Sequence, residues 1–332
     1  MTPPGIDLDR LRAYLDKELP GVLDGELTAE LIAGGRSNLT YDLCGRFVLR
    51  RPPLGHVLAT AHDMGREHRV LSALYGSPVP VPRPVLFCPD PDVIGAPFYI
   101  MEKVPGTVYW SGGQVRSALG PAGAEALAAD LVRILAELHT LDPQAYGLGD
   151  FGRPEGFLER QVRRWRKQLD ASRSREVAGI DELAAGLAER IPQTQRHAVV
   201  HGDYRLDNLL VDQDGKIAAV LDWEMSTLGD PLTDIGLLRV YWTAGGGGDV
   251  LATGGTPLVP VERALEWYSQ RSGLDLTPLP WYVAFGNFKL AVILEGIHYR
   301  FVHGQTVGEG FERVGDSVAP LVAGGLRALN EL

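Results

Sequence analysis

The 332-residue chain, with 45% hydrophobic and 22% charged residues, carries enough apolar material for more than one core, which excludes a disordered or fibrous protein. Its net charge of -10 excludes a general affinity for nucleic acid or an anionic membrane surface, though not a local basic pocket. Cys44 and Cys88 stand far apart without metal-ligand spacing, and no basic leader or long uncharged run occurs, so the expectation is a cytoplasmic protein with no membrane partner.

Leu8, Leu11, Tyr14 and Leu15 recur at helical spacing before Pro20-Gly21, which predicts a helix over 7–19. The runs ELTAELIA, NLTYDL and RFVLR, separated by Gly34-Gly35 and Cys44-Gly45, read as a small antiparallel meander. Residues 60–74 read as a helix, and VPVPRPVLFC and FYIMEKV as two further strands. Past Pro105-Gly106 the character changes: 121–141, 154–171, 181–191, 231–243, 261–272 and 281–302 read as helices. HAVVHGD, NLLVD and KIAAVLDW form an island of β-type sequence among them. The Gly-rich segment 244–260 reads as a connection. A domain boundary is therefore placed between 1–104 and 105–332.

Phosphoryl transfer needs a carboxylate near the attacking hydroxyl, oxygen ligands for Mg²⁺ and a cation on the nucleotide phosphates. In VHGDYRLDN, Asp203 and Asn208 lie five positions apart, and Asp222 follows the apolar run IAAVL at a strand end, where a hard carboxylate suits a metal. Alone, VHGDYRLDN is explained as a polar turn capping its own backbone; together with Asp222 and the basic strand end RFVLRR it reads as a site.

His201-Gly202-Asp203 with Asn208, followed by LDWE, resembles the aminoglycoside phosphotransferase and choline kinase-like family, small-molecule relatives of the protein kinases. The resemblance implies an α+β, bilobal protein-kinase-like fold with a β-rich N-lobe and a mainly helical C-lobe holding ATP and Mg²⁺. It implies that Asp203 is catalytic, that Asn208 and Asp222 bind metal, and that His201 braces the loop. Gly35, Ser37 and Asn38 are similar to the nucleotide-covering loop. Arg50 stands where the family places a phosphate-clamping lysine, with Arg51 competing for the role and Glu67 as ion-pair partner. Glu102 and Val104, by main-chain groups, fall at the adenine-facing hinge. GGRSNLTY, the segment from VLRR to LSAL, and ERQVRRWRKQ resemble the branch fused to acyl-CoA dehydrogenases in animals, whose members are associated with phosphorylation of hydroxylated acyl substrates.

The implied partner is a small-molecule hydroxyl acceptor: a hydroxy acid or hydroxyacyl-CoA, with an aminoglycoside, amino alcohol or sugar as alternative. A catalytically weak nucleotide-binding regulator and a metal-dependent phosphoesterase are rival readings. Asp207 and Glu224 are left outside the site, and Asp230 and Asp234 are read as caps of the helix that follows them. The basic run from Arg160 to Lys167 is read as a solvated face or a wall for an acidic substrate. Lys289, Glu295, His298 and Arg300 stand on a late helix of the acceptor half, and aromatics such as Tyr241 are read as packing groups.

Overall fold

The computed structural model describes residues 3–23, 25–32, 38–54, 63–243, 257–305 and 310–332. They divide into two units, Met1–Gly106 with Ala218–Glu224, and Thr107–Ile217 with Met225–Leu332. The short piece 218–224 stands far along the chain yet groups with the first unit, because Val220 N–H donates to Pro80 O at 2.8 Å.

In the first unit, helix α1 (Leu8–Glu18) begins at Asp7, whose carboxylate accepts from the Arg10 amide. Strands β1 (Ala29–Leu31), β2 (Leu39–Leu43) and β3 (Phe47–Arg51), helix α2 (Met64–Leu74), and strands β4 (Pro84–Cys88) and β5 (Phe98–Glu102) follow. The sheet order is β1-β2-β3-β5-β4, antiparallel throughout. The β2–β3 turn needs left-handed backbone at Cys44 (φ 55°) and Gly45 (φ 67°), and Asp42 accepts from the Gly45 amide at 2.7 Å.

Side chains alternate along a strand. Tyr41, Leu43, Phe47, Leu49, Phe98 and Ile100 thus join Leu11 and Leu15 of α1 in one apolar core. Arg51 belongs to that buried side, where its guanidinium donates to the main-chain carbonyls of Gly5 and Ile94 and burial lowers its pKa. Arg50 therefore points the other way, beside its cross-strand neighbour Tyr99 and toward Glu67 of α2. The period of the strand puts Arg50, and not Arg51, on the side of Glu67.

The second unit opens with α3 (Gly112–Thr140), interrupted at Gly120 (φ 72°, ψ 176°) just before Pro121, so the helix read from 121 is its second segment. Helices α4 (Phe157–Ser172) and α5 (Ile180–Glu189) lead to β6 (Ala198–Val200) and β7 (Leu209–Val211). Strand β8 (Ile217–Val220) runs into the segment carrying Asp222, and β9 (Thr227–Gly229) pairs antiparallel with β6. Helices α6 (Leu232–Thr243), α7 (Val261–Ser272), α8 (Leu279–Val302) and α9 (Val318–Leu329) complete the unit. Helix α8 is buried on nearly every side from Leu279 to Gly296, as an all-round apolar helix must be, and α4, α5, α6 and α9 pack around it.

Neither β9 nor α9 was expected. A three-residue strand has no readable period, and Pro320, Gly324 and Gly325 disguise α9. Gly324 and Gly325 lie where α9 meets the side chains of Asn287 and Leu183, which a Cβ would push aside. Among the described residues no helix is long and apolar enough to cross a membrane.

Helices α6 and α8 approach closely only because residue 236 is glycine: a Cβ there would overlap the Tyr282 carbonyl. Gly236→Ala is expected to lose about 2 kcal/mol or more and to lower the melting temperature by roughly 5 °C in thermal unfolding. An unchanged midpoint would remove this approach as a packing constraint.

Candidate functional site

Two clusters carry the chemistry, one in each unit. In the first unit, Arg50 sits between two carboxylates: Nη1 lies 3.2 Å from Glu67 Oε2 and Nη2 lies 3.2 Å from Asp222 Oδ1. Tyr99 donates to Glu67 Oε2 at 2.7 Å, and Asn38 Nδ2 reaches Glu67 Oε1 at 3.3 Å and Glu224 Oε2 at 3.1 Å. Burial pushes the Glu67 carboxyl up against the pull of Arg50 and the Tyr99 hydroxyl, and neighbouring Asp222 adds to the rise. Burial also opposes charge on Arg50, yet Tyr99, Glu67 and Asp222 outweigh it and hold the guanidinium ionised. Asp222 adopts a left-handed backbone (φ 65°), a strained state for a residue with a Cβ and one that concentrates at functional sites.

Glu67, Asp222 and Glu224 each present a carboxylate oxygen within 4.8 Å of the others. Such oxygens are hard donors that suit Mg²⁺. Arg50 and Asn38 offset their mutual repulsion.

In the second unit the loop after β6 is held by one buried carboxylate. The amides of His201 and Gly202 donate to Asp234 Oδ2 at 2.7 Å and Oδ1 at 2.8 Å. His139 Nε2 lies 3.2 Å from Asp234 Oδ2, and His139 Nδ1 lies 2.7 Å from the Tyr268 hydroxyl. Gly202 has φ 86°, and a Cβ there would meet the backbone of Met225 at 2.8 Å, so glycine is required. The His201 ring accepts from the Asp203 amide at 3.2 Å.

The Asp203 carboxylate is then gripped on both oxygens. Tyr241 donates to Oδ1 at 2.6 Å, and Asn208 Nδ2 donates to Oδ2 at 3.2 Å and to the Asp203 carbonyl at 2.8 Å. The Asn208 side-chain carbonyl oxygen is a hard donor of the kind that suits a cation. Arg205 bridges Asp207 at 2.5 Å and Asp203 at 3.6 Å while lying over the Tyr241 ring.

A family model described as the phosphotransferase enzyme family matches residues 28–268. The chain belongs to that family. It is 34% identical over 338 residues to acyl-CoA dehydrogenase family member 11 of Rattus norvegicus, covering 97% of this chain and 43% of that protein, so it spans less than half of that relative. A crystal structure from Ralstonia eutropha, assigned as an aminoglycoside phosphotransferase, superposes with a TM-score of 0.85 at 33% identity over 98% of both chains. The streptomycin–ATP–APH(2")-IIa ternary complex shares the fold at a TM-score of 0.58 and 15% identity over 96% of both chains. The kinase-like α+β fold of the family, an antiparallel sheet followed by a mainly helical remainder, is the class the sequence reading expected.

The structure brings Arg50, Glu67, Asn38 and Asp222 together in one unit and Asp203 with Asn208 in the other. Gly35 and Ser37 lie outside the described residues, as do positions 244–256 of the Gly-rich segment. Asn38, assigned to the nucleotide-covering loop, donates through its side chain to Glu67 and Glu224. At the hinge, the amides of Glu102 and Lys103 donate to Arg83 O and Arg46 O, while the Glu102 side chain pairs with Arg83 at 2.6 Å. The Glu102 amide is therefore closed to a base edge.

Three readings change. Asp234 is not a cap of α6 but the anchor of the loop, whereas Asp230 does accept from the Leu232 amide at 3.0 Å. Tyr241, read as a packing ring, holds the Asp203 carboxylate. Glu224, left outside the site, presents a carboxylate oxygen beside those of Glu67 and Asp222. In the basic run, Arg166 pairs with Asp170 and Asp181 and Arg160 donates to the carbonyls of Arg153 and Glu155, contacts that suit the solvated-face reading. The signals for Asp234 and Tyr241 were invisible because their partners stand more than thirty residues away.

Burial raises the Asp234 pKa, but His139 and the loop amides outweigh it and leave the carboxyl below its ordinary value of 3.8. Its stabilising share is thus present above pH 3.8 and lost as the pH falls further. Asp234→Ala should cost about 3–5 kcal/mol near neutral pH in urea unfolding, and the gap to the parent protein should narrow below pH 3.8. A gap independent of pH would remove the ionised carboxylate as its source.

Proposed function

We propose that the chain moves the γ-phosphoryl group of ATP to the hydroxyl of a small molecule, with a hydroxy acid or its CoA ester as acceptor. The grip of Tyr241 and Asn208 on the Asp203 carboxylate carries this reading. A carboxylate fixed at both oxygens, in a loop whose backbone is anchored, is preorganised to orient a hydroxyl and accept its proton. The oxygen of that hydroxyl forms the new bond to phosphorus as the β–γ bridging oxygen leaves.

Arg50, held in orientation by Glu67, would clamp the nucleotide phosphates; its Nε is buried and has no partner among the described residues. The Asn208 carbonyl and the Asp222 carboxylate are hard oxygen donors fit to hold Mg²⁺, which offsets phosphate charge when bound. Support for ATP comes from the fold shared with the ATP complex of APH(2")-IIa, and support for an acyl acceptor from the similarity to an acyl-CoA dehydrogenase family member.

Asp203→Ala is expected to lower turnover about a thousandfold while Mg²⁺-ATP binding, measured by calorimetry, stays within about threefold. Parent-like turnover in that variant would sink the assignment. Asp222→Ala should make nucleotide affinity nearly indifferent to Mg²⁺, where the parent protein binds at least about tenfold more tightly with the metal; titrations of ATP with Mg²⁺ and with EDTA check it.

A further inference from the structure

Lysine is seldom buried without a counter-ion, because the charge loses its hydration. Lys289 of α8 is 8% exposed. One of its ammonium N–H groups donates to the Gly202 carbonyl at 2.6 Å, and the ammonium lies 5.7 Å from the centre of the Trp165 ring. Among the described residues no carboxylate stands at ion-pair distance from it. The charged groups around it are Asp203 and Asp234, which attract it, and Arg164, which repels it and itself lies over Trp165.

The acids in this neighbourhood already have partners. Asp234 accepts the loop amides, Asp207 pairs with Arg205, and Asp203 is gripped by Tyr241 and Asn208. Burial lowers the Lys289 pKa, because the lost hydration of the ammonium is not replaced by a paired acid. A positive group of this kind, one residue along the chain from the carbonyl partner to the proposed catalytic acid, has donors left for an incoming oxygen. A cationic acceptor, such as an amino sugar, would meet repulsion there.

We propose that Lys289 is a specificity-determining residue that donates to an acyl oxygen of the acceptor, the carboxylate of a hydroxy acid or the carbonyl of its thioester. The inference rests on the phosphotransferase reading for the identity of the acceptor site. Trp165 and Gly202 O hold the ammonium in place, Asp203 takes the hydroxyl, and the substrate is selected by carrying both a hydroxyl and an acyl oxygen.

The test uses the full chain with Mg²⁺-ATP and four acceptors of one carbon length: a hydroxyalkanoate, its CoA thioester, the alkanediol and the amino alcohol. The parent protein is expected to favour the acid or the thioester over the diol and amino alcohol in kcat/KM by at least about tenfold, the worth of one hydrogen bond to a charged group. Lys289→Met should remove that margin and Lys289→Arg should keep part of it; which of the two acyl compounds is preferred names the source of the oxygen. Equal losses on all four acceptors in Lys289→Met would overturn the inference and leave Lys289 a brace for Gly202. So would a parent preference for the diol or amino alcohol, a result that also decides the matter if Lys289→Met does not fold. Thermal shifts with the same compounds separate the two readings. An acyl-dependent rise in the parent that Lys289→Met loses, without any ATP consumption, would support Lys289 and reject phosphoryl transfer.

Discussion

The geometry of the loop from His201 to Asn208 depends on a buried carboxylate meeting two adjacent backbone amides. Asp234 receives the N–H groups of His201 and Gly202, donors that burial would otherwise leave unsatisfied. Lys289 takes the carbonyl of the same glycine from α8, so the residue before Asp203 is held through both its amide and its carbonyl. His139 and Tyr268 extend the anchor to α3 and α7. Only glycine can occupy position 202, with its left-handed backbone pressed against Met225. Asp203 is thus placed by its backbone before Tyr241 and Asn208 fix its side chain.

The two units solve opposite electrostatic problems. In the first, one cation, Arg50, holds Glu67 and Asp222, with Asn38 bridging Glu67 to Glu224; burial still leaves Glu67 reluctant to ionise. In the second, a carboxylate is surrounded by neutral donors and an arginine, and a lysine is buried nearby without an acid of its own. Uncompensated charge is costly in a packed interior. Charged groups gathered in this way are the pattern that functional sites show.

Much of the architecture was legible because it is written in short-range patterns. Short β-type runs bounded by turn residues marked β2, β3 and β5, apolar residues at helical spacing marked α1, and the Gly120-Pro121 pair explains why α3 could be read only from its second segment. Helix α9 escaped because the glycines that let it pack against Asn287 and Leu183 are the residues that weaken a helical reading. The site was legible in part. Asp203, Asn208 and Asp222 stand in a recognisable order, while Tyr241, Asp234 and Lys289 have no local signature, since each acts on a residue at least thirty positions away.

The sequence by itself determined the family, the fold class and the candidate acids, since these rest on residue order and periodicity over neighbouring positions. Tertiary structure decided which arginine faces Glu67, that residues 218–224 belong with the first unit, and which side chains hold the Asp203 loop. The physical reason is the range of the forces involved. Backbone periodicity acts over a few residues and can be read along the chain, but burial and hydrogen bonding join groups that only the packed fold brings within three ångströms of one another.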